Sequence, residues 1–589
     1  LRGLEPGVIE ALCVRWVWTD LPVAALVGLV TGSSVGEIVP LGLAYETVVG
    51  PPSNDEIATL QRDTTIRLES AVPGGVAPTG PQRRGWAMAA RRLTELATPS
   101  LAGVWMAGAE QLLAARQGAE LTVVSDVLPG GFTRRLAAVG AALRDGSAEE
   151  RQSALTVLRA HVLARYEPER VARVEMAIRL AARSPFPASG VGLVAVAADY
   201  LDDGRWVDRA REVLSAGDPI PELAEAYSEL LATANADRAR RNEDFARALV
   251  EWSRGEPLTN SLVPIEEVLS RVVGPVAELA PVLVVVMDGL SHPAGVELLD
   301  ALERRRWAPV APVGSRSEQG VVAMLPTVTE ISRASLLCGT RTVGGPPVEA
   351  QGFAEHPALK AASAGGSGPR LFHKGDLIDP GGQALGAAVG EAIADPRRRV
   401  VGVVVNAVDD HLGSGDQIHV DWGPASIRPL GWVLDAAANA GRVVVLVADH
   451  GHVIERGGSP RVVVGDQGER WHTAEVAAGE VEVVGPRVLA GSGRVVLPFD
   501  ETRRYNNARK RGYHGGATPQ EVLAPCFVLA HGHVAPGGFE FAWLSRPHWW
   551  SEAGAGTDPA ATPRAEPGPA PRRAGGRSSR RRHRTAPRP

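Results

Sequence analysis

The sequence predicts an α/β domain whose parallel β-sheet is sandwiched by helices, preceded by a mainly helical region. Two observations predict this division. Up to about residue 270, apolar residues recur at the spacing of amphipathic helices. Beyond about residue 275, short and almost uninterrupted runs of Val and Leu alternate with helical stretches, as expected for parallel strands buried on both faces.

The region 1–270 is predicted to be a mainly helical N-terminal unit. Ser147 and Glu150 have the spacing of a capping box, and they open a run in which Leu155 and Leu158 share one helical face. Similar periodicity predicts helices over residues 86–97, 169–182 and 221–249, whereas Pro and Gly predict a loop or linker over residues 71–84.

The α/β domain is predicted to span residues 276–545. Its buried strands are predicted at Val282–Met287, Val400–Val405 and residues 443–447, each a run of large aliphatic side chains. Helical stretches over residues 293–305 and 382–394 separate these strands along the chain. This alternation is typical of a layered α/β fold.

Charge is distributed unevenly along the chain. Residues 551–589 carry nine Arg and three acidic residues, a net charge of +6 that leaves −11 on the rest of a chain whose total is −5. This segment has almost no large apolar residues, so we predict a disordered tail rich in Arg, Pro and Gly. The acidic body argues against a whole surface that binds nucleic acid, but the tail could contact DNA locally.

The composition favours a cytoplasmic protein without membrane contact. No apolar stretch reaches the roughly 18 residues of a membrane-spanning helix. No basic segment followed by an apolar core marks a signal peptide. The three Cys are far apart, which suits a reducing compartment. Because the chain begins with Leu1 rather than Met, a preceding segment is not excluded.

All three predicted strands end in acidic residues. Asp288 follows the first, Asp409 and Asp410 end the second, and Asp449 and His450 end the third. The carboxyl ends of parallel strands meet at one edge of a sheet, so we expect these side chains to converge. A single Asp after a strand is often only a helix N-cap, but three strand ends in register favour a metal site.

A divalent metal ion would remove the repulsion between carboxylates clustered at that edge. Mixed ligation by Asp and His suits zinc first, with manganese, iron or magnesium as alternatives, and two neighbouring ions could clamp a phosphoryl group. The sequence therefore predicts a site with one or two ions.

The run from Pro326 to Gly339 resembles the nucleophile segment of the alkaline phosphatase superfamily. That resemblance implies Thr329 as the nucleophile, at a helix N-terminus where backbone N–H groups can hold an anionic phosphate. The alternative is that Thr329 only caps the helix. His514, which precedes two Gly and a Pro/Glu segment, is similar to the last metal ligand of the superfamily. The implied metal ligands are Asp288, Asp409, Asp449, His450 and His514.

Further motifs resemble PglZ proteins of bacterial phage-defence systems, namely BREX and phage growth limitation. They are the run from Asn406 to His411, the triplet Phe372-His-Lys374 and the segment that begins at His514. The resemblance, which is to the type 2 BREX arrangement, implies a metal-dependent phosphatase or phosphodiesterase in antiviral defence. It also implies a methyltransferase, a kinase or an ATPase as partners.

One position departs from the superfamily pattern. Many members have a His ligand four residues after the second-strand Asp, and here that position is Gly413. Either His411 or His419 would then replace it, or one metal would be held less fully. The alternative function is accordingly a catalytically weak scaffold, whose helical region docks other proteins of the defence complex.

Overall fold

The computed structural model describes most of the chain except its two ends and several internal segments. Asp409, His411, Gly413 and His419 lie outside the described residues, as does almost all of the predicted tail. The described ranges are 35–72, 77–184, 190–255, 262–315, 320–406, 422–458, 460–507 and 510–552.

The N-terminal region is helical, as its periodicity predicts. Ser147 caps α6 as expected: its hydroxyl accepts the backbone N–H of Glu150, and the Glu150 carboxylate accepts the backbone N–H of Ser147. The helices are α1 Val35–Val49, α2 Asp55–Glu69, α3 Gly80–Leu96, α4 Pro99–Ala115, α5 Pro129–Asp145, α6 Ala148–Arg159, α7 Pro168–Ala182, α8 Leu193–Asp199, α9 Arg205–Leu214 and α10 Pro221–Ser253.

The prediction of a loop over residues 71–84 is wrong for residues 80–84, because α3 begins at Gly80. Pro81 lies in the first turn of this helix, where its missing N–H removes no helical hydrogen bond. The Gln82 side chain accepts the backbone N–H of Thr79 at 2.9 Å. The Pro and Gly that suggested a loop therefore belong to a helix start.

The helical region packs directly on the α/β domain. Phe245, Leu249 and Trp252 of α10 share an apolar cluster with Val483 and Leu497 of the α/β domain. The helices therefore contribute to the core beneath that part of the domain. A separate apolar cluster lies among α1, α3 and α4 and reaches as far as residue 162.

The α/β domain contains a seven-stranded sheet in the order β14-β3-β13-β7-β2-β6-β5. Strands β7, β2, β6 and β5 are parallel, and β13, β3 and β14 extend the sheet with antiparallel pairs. The strands are β1 Leu262–Pro264, β2 Val282–Met287, β3 Trp307–Pro312, β4 Gly320–Val322, β5 Arg370–Phe372, β6 Val400–Val405, β7 Val443–Ala448, β8 Val453–Ile454, β9 Glu480–Val484, β10 Arg494–Pro498, β11 Gly512–Tyr513, β12 Leu523–Ala524, β13 Cys526–His531 and β14 Phe539–Phe541.

Helices surround this sheet, and the predicted α/β class is confirmed, although the sheet is mixed rather than purely parallel. Every residue of β2, β6 and β7 is buried, as expected for strands covered on both faces. The helices are α11 Gly274–Leu279, α12 His292–Arg304, α13 Thr329–Cys338, α14 Pro346–Glu355, α15 Pro357–Ala362, α16 Ala387–Ala394, α17 Arg428–Asn439, α18 Pro519–Val522 and α19 His548–Glu552.

Among the described residues, no helix is both long enough and apolar enough to cross a lipid bilayer.

Candidate active site

The register of the parallel strands brings three polar residues to one edge of the sheet. Met287 of β2 pairs with the last residue of β6 on one side and the last residue of β7 on the other. The next residues along the chain are Asp288, Asn406 and Asp449, so they leave the sheet side by side. The expected convergence of strand ends is therefore present in the part of the chain that is described.

Thr329 lies at this edge as the first residue of α13. The N-cap of the helix is Val328, so the alternative that Thr329 serves as the cap is wrong. The hydroxyl instead donates to Oδ1 of Asp288 over 3.3 Å, and it lies 3.3 Å from Nε2 of His450. The predicted nucleophile thus contacts two of the predicted metal ligands.

Asp288, Asp449 and His450 form a compact group suited to a cation. Each offers one ligand atom, these atoms lie within 4.8 Å of one another, and all three side chains are buried. Two buried carboxylates this close repel unless positive charge lies between them. Two Asp and one His match the number and type of protein ligands in a catalytic zinc site. The described residues therefore fit a divalent ion.

The histidines present the nitrogen that a metal ion needs. Nδ1 of His450 donates to the carbonyl of Gly451 at 3.1 Å, so Nε2 is the nitrogen that faces the two carboxylates and could bind an ion. Nδ1 of His514 donates to the carbonyl of Thr327 at 2.9 Å. The His514 ring stacks on His450 with 4.3 Å between centroids, but His514 is not part of the compact group. A ligand role for His514 stays a prediction.

Ser332, three residues after Thr329, links α13 to the end of β7 by hydrogen bonds. Its hydroxyl donates to the carbonyl of Asp449 at 2.6 Å and accepts the backbone N–H of Met324 at 3.2 Å. A small polar residue is required here because the side chain is completely buried between two backbone segments.

This region also matches a known family. Residues 268–529 match the family described as the BREX system PglZ alkaline phosphatase-like domain. Residues 268–529 are a PglZ domain. The resemblance predicted from the motifs is therefore confirmed, whereas the predicted domain boundaries of 276–545 stay a prediction.

Solved structures similar to this chain include a phosphodiesterase and a phosphonoacetate hydrolase. Murine ectonucleotide pyrophosphatase/phosphodiesterase 5 is 10% identical, with coverage of 44% of this chain and 89% of that one and a TM-score of 0.28. Phosphonoacetate hydrolase from Sinorhizobium meliloti is 13% identical, with coverage of 47% and 94% and a TM-score of 0.28. At such TM-scores these likenesses carry no functional argument. No curated protein matches the chain.

Two residues of the PglZ domain that were not predicted as site residues contact Asp288. Nη1 of Arg333 and Nδ2 of Asn406 each donate to Oδ2 of Asp288 at 2.5 Å. Burial opposes the charge on Arg333, but Asp288, Asp449 and other carboxylates raise the pKa of its guanidinium. Arg333 follows Thr329 by four residues, so the two side chains lie on the same face of α13. This spacing is the sequence signal from which Arg333 could have been predicted as a site residue.

Two further polar side chains of the PglZ domain, Glu349 and His373, extend the contacts of Arg333 away from Asp288. Nε of Arg333 donates to Oε1 of Glu349 at 2.9 Å, and Oε2 of Glu349 lies 2.7 Å from Nε2 of His373. Glu349 is completely buried, whereas His373 is partly exposed. His373 is the centre of the triplet Phe372-His-Lys374 on which the family resemblance partly depends.

Proposed function

We propose that this chain is a metal-dependent phosphoric ester hydrolase and a cytoplasmic component of a bacterial anti-phage system of the BREX or phage growth limitation type. The observation that carries the proposal is the contact of the Thr329 hydroxyl with both Asp288 and His450, within a buried group that fits a cation. The match to a BREX PglZ domain supports the defence role.

Asp288, Asp449 and His450 would hold the ion, zinc first and manganese or magnesium as alternatives. Asp409 and His514 remain proposed as further ligands. When bound, the ion would lower the pKa of the attacking hydroxyl and offset the charge of the phosphoryl oxygens.

The chain's own residues would then perform an in-line displacement. Asp288 and His450 orient the Thr329 hydroxyl, which lies at the N-terminus of α13 where backbone N–H groups favour an anion. Oγ of Thr329 bonds to phosphorus and releases its proton to solvent, while the opposite ester bond breaks and the departing alcohol takes a proton from water. Water then cleaves the threonine ester, forming a new bond to phosphorus and returning a proton to Thr329. Direct attack by water is the one-step alternative.

The experiment is hydrolysis of 4-nitrophenyl phosphate and bis(4-nitrophenyl) phosphate after loading with zinc or manganese. We expect the metal-loaded wild type to hydrolyse one or both esters. Turnover should be lower by about 1,000-fold or more in Thr329→Ala, because the nucleophile is lost. Undiminished turnover in Thr329→Ala would contradict the role of Thr329. A preference for the diester would support a phosphodiesterase or nuclease, and a preference for the monoester a phosphatase.

A scaffold role is the second candidate, favoured by apolar side chains exposed on the first helices. Ile66, Met88, Leu96 and Val104, from α2, α3 and α4, are each more than 60% exposed. Exposed apolar surface of this kind can mark a protein interface. The proposed partners are the methyltransferase, kinase or ATPase of the same system, and the Arg-rich tail would add a local contact with DNA.

Two measurements separate the scaffold from the enzyme. A chain that retains no divalent ion even when loaded with excess metal would favour the scaffold. In a pull-down with each partner, Leu96→Glu/Val104→Glu should lose binding, whereas Val462→Glu, which changes an exposed apolar residue outside the helical region, should not. Equal capture of both variants would contradict docking through these helices.

A further inference from the structure

A groove lies between the helical region and the PglZ domain, away from the candidate active site. It has a volume of about 830 Å³, with α7 and α9 on one side and α12, β3 and β14 on the other. Trp307 lines the groove and pairs with His531 at the end of β13, which runs antiparallel to β7. The groove is therefore at the edge of the sheet where β7 begins, whereas Asp449 follows the end of β7. The six residues of β7 separate these two edges by about 20 Å.

Positive charge in the groove exceeds the negative charge that is available to balance it. Among the acids that line the groove, Glu175 pairs with an arginine outside it at 2.7 Å, and Asp300 pairs with Arg546 at 3.0 Å. Arg546 also lies 3.7 Å from Glu303. The lining arginines that form no ion pair with a described carboxylate are Arg173, Arg179, Arg304 and Arg306. Against these cations, Glu169 is the one lining carboxylate without a described cationic partner, so the groove attracts anions.

Arg306 has a backbone conformation that is unusual for a residue with a side chain. It follows the C-cap of α12 with a φ of 66°, in the left-handed region where Gly is the usual residue. Its side chain is exposed and forms no hydrogen bond or ion pair with a described residue. The guanidinium therefore makes no contact within the described fold that offsets this strain. Strained residues of this kind cluster at ligand sites, which makes Arg306 a candidate contact for an anion.

Two aromatic side chains at the groove are accessible to a ligand. The rings of Phe541 and Trp543 stack with 6.0 Å between centroids and 21° between planes. Trp543 is 54% exposed and Phe541 is 39% exposed, although both are large apolar side chains. Nucleic-acid bases stack on such rings whatever their sequence, and arginines beside them bind the phosphates.

We infer that this groove binds single-stranded nucleic acid, with Trp543 stacked on a base and Arg306 bound to a phosphate. A single strand is required because a base within a duplex is stacked on its neighbours and cannot reach the indole. The basic C-terminal segment begins beside the groove, since Trp550 of α19 lines it and residues 551–589 carry a net charge of +6. This binding requires neither a metal ion nor hydrolysis, so it is independent of the proposed function.

The test measures the binding of a fluorescein-labelled oligothymidylate to the full chain by fluorescence anisotropy over a range of salt concentrations. EDTA is present so that metal-dependent hydrolysis does not consume the probe. The variants are Trp543→Ala, with Trp543→Phe as the conservative change, and Arg306→Gly, which removes the guanidinium and suits the left-handed backbone. Arg92→Ala, which removes an exposed arginine of α3 outside the groove, is the control.

We expect Trp543→Ala to bind the oligothymidylate about tenfold more weakly, with an intermediate loss in Trp543→Phe, because one stacked base is lost. Its salt dependence should equal that of the wild type. Arg306→Gly should instead reduce the slope of log affinity against log salt concentration by about 0.7, the value for one phosphate contact on a single strand. Its unfolding temperature should be no lower than that of the wild type. Arg92→Ala should match the wild type in both affinity and slope.

Several results would overturn the inference. Wild-type affinity in both groove variants would assign the binding to the basic C-terminal segment instead. Equal affinity for an oligothymidylate–oligoadenylate duplex would exclude base stacking on Trp543. A loss of the same size in Arg92→Ala would show a response to net charge alone. A wild type that binds no oligothymidylate would leave the exposed rings to a protein partner.

Discussion

The Ser332 hydroxyl donates a 2.6 Å hydrogen bond to the carbonyl of Asp449. This bond joins the helix that begins with Thr329 to the strand end that carries Asp449 and His450. The distance between the Thr329 hydroxyl and the proposed metal ligands therefore depends on Ser332, which is itself neither a proposed ligand nor the proposed nucleophile.

Removal of the Ser332 hydroxyl should change the position of Thr329 more than it changes metal binding. Ser332→Ala leaves the Met324 N–H and the Asp449 carbonyl without their buried partner, a loss of about 1–3 kcal/mol in the free energy of unfolding. We expect turnover to fall while metal content stays at the wild-type level. Chemical denaturation and metal analysis check this. Loss of the metal ion together with turnover would contradict a purely positioning role.

Turnover should depend on whether the residue at position 329 carries a hydroxyl. Thr329→Ser keeps a hydroxyl at the start of α13, so turnover should remain within about tenfold of the wild type, whereas Thr329→Val keeps the shape and should lose about 1,000-fold. Both variants should unfold near the wild-type temperature, because the substitutions conserve most of the volume. Equal turnover in the Ser and Val variants would contradict a nucleophilic hydroxyl.

Asp449 should control metal-dependent stability. At a metal concentration of about 100 times the dissociation constant, binding should stabilise the wild type by about 2.7 kcal/mol. Asp449→Ala removes a ligand from the compact group and should abolish this gain. Thermal unfolding with and without zinc provides the measurement, and Asp435→Ala, at an exposed ion pair with Arg305, is the control. An unchanged zinc response in Asp449→Ala would remove that residue from the ligand set.

A buried ionic cluster between the helical region and the PglZ domain should make stability depend on pH. Glu501 contacts Arg211 at 2.7 Å and Arg456 at 3.2 Å. Burial raises the pKa of Glu501, but Arg211 and the neighbouring cations outweigh this effect and hold it well below its ordinary value. Because the folded pKa is depressed, this stabilisation is present above the ordinary pKa of 4.5 and is lost as the pH falls below it.

Glu501→Gln should therefore lower the free energy of unfolding by about 3–5 kcal/mol near neutral pH, since it leaves buried cations without their carboxylate. The difference from the wild type should shrink as the pH decreases below 4.5. Urea denaturation between pH 3 and 7 is the measurement. Glu243→Gln, at an exposed pair with Arg247, should change stability by no more than about 0.5 kcal/mol. A difference that is the same at every pH would contradict the assigned charge on Glu501.

Sequence reasoning predicted the central sheet because its signal is local. The aliphatic runs of β2 and β6 and the acids that follow them can be recognised without tertiary information. Strand β3 has a weaker signal, since Pro309 and Pro312 interrupt a run of only six residues, and Pro normally argues against a strand interior.

The environment of Asp288 could not be predicted in the same way. Arg333 and Asn406 reach its carboxylate only after strands and helices distant in sequence have packed together. The Thr329 position could be predicted because its helix start carries a motif, but the contact between Arg333 and Glu349 depends on how α13 packs against α14. Local patterns specify strand ends, and tertiary packing specifies their neighbours.

Metal-dependent hydrolysis by the strand-end acids can be tested directly with bis(4-nitrophenyl) phosphate as substrate. The wild type and Asp449→Ala are each assayed after chelation and after reloading with zinc or manganese. We predict turnover only in the metal-loaded wild type. Turnover that survives chelation, or that is equal in metal-loaded wild type and Asp449→Ala, would contradict a metal-dependent hydrolase centred on the strand-end acids.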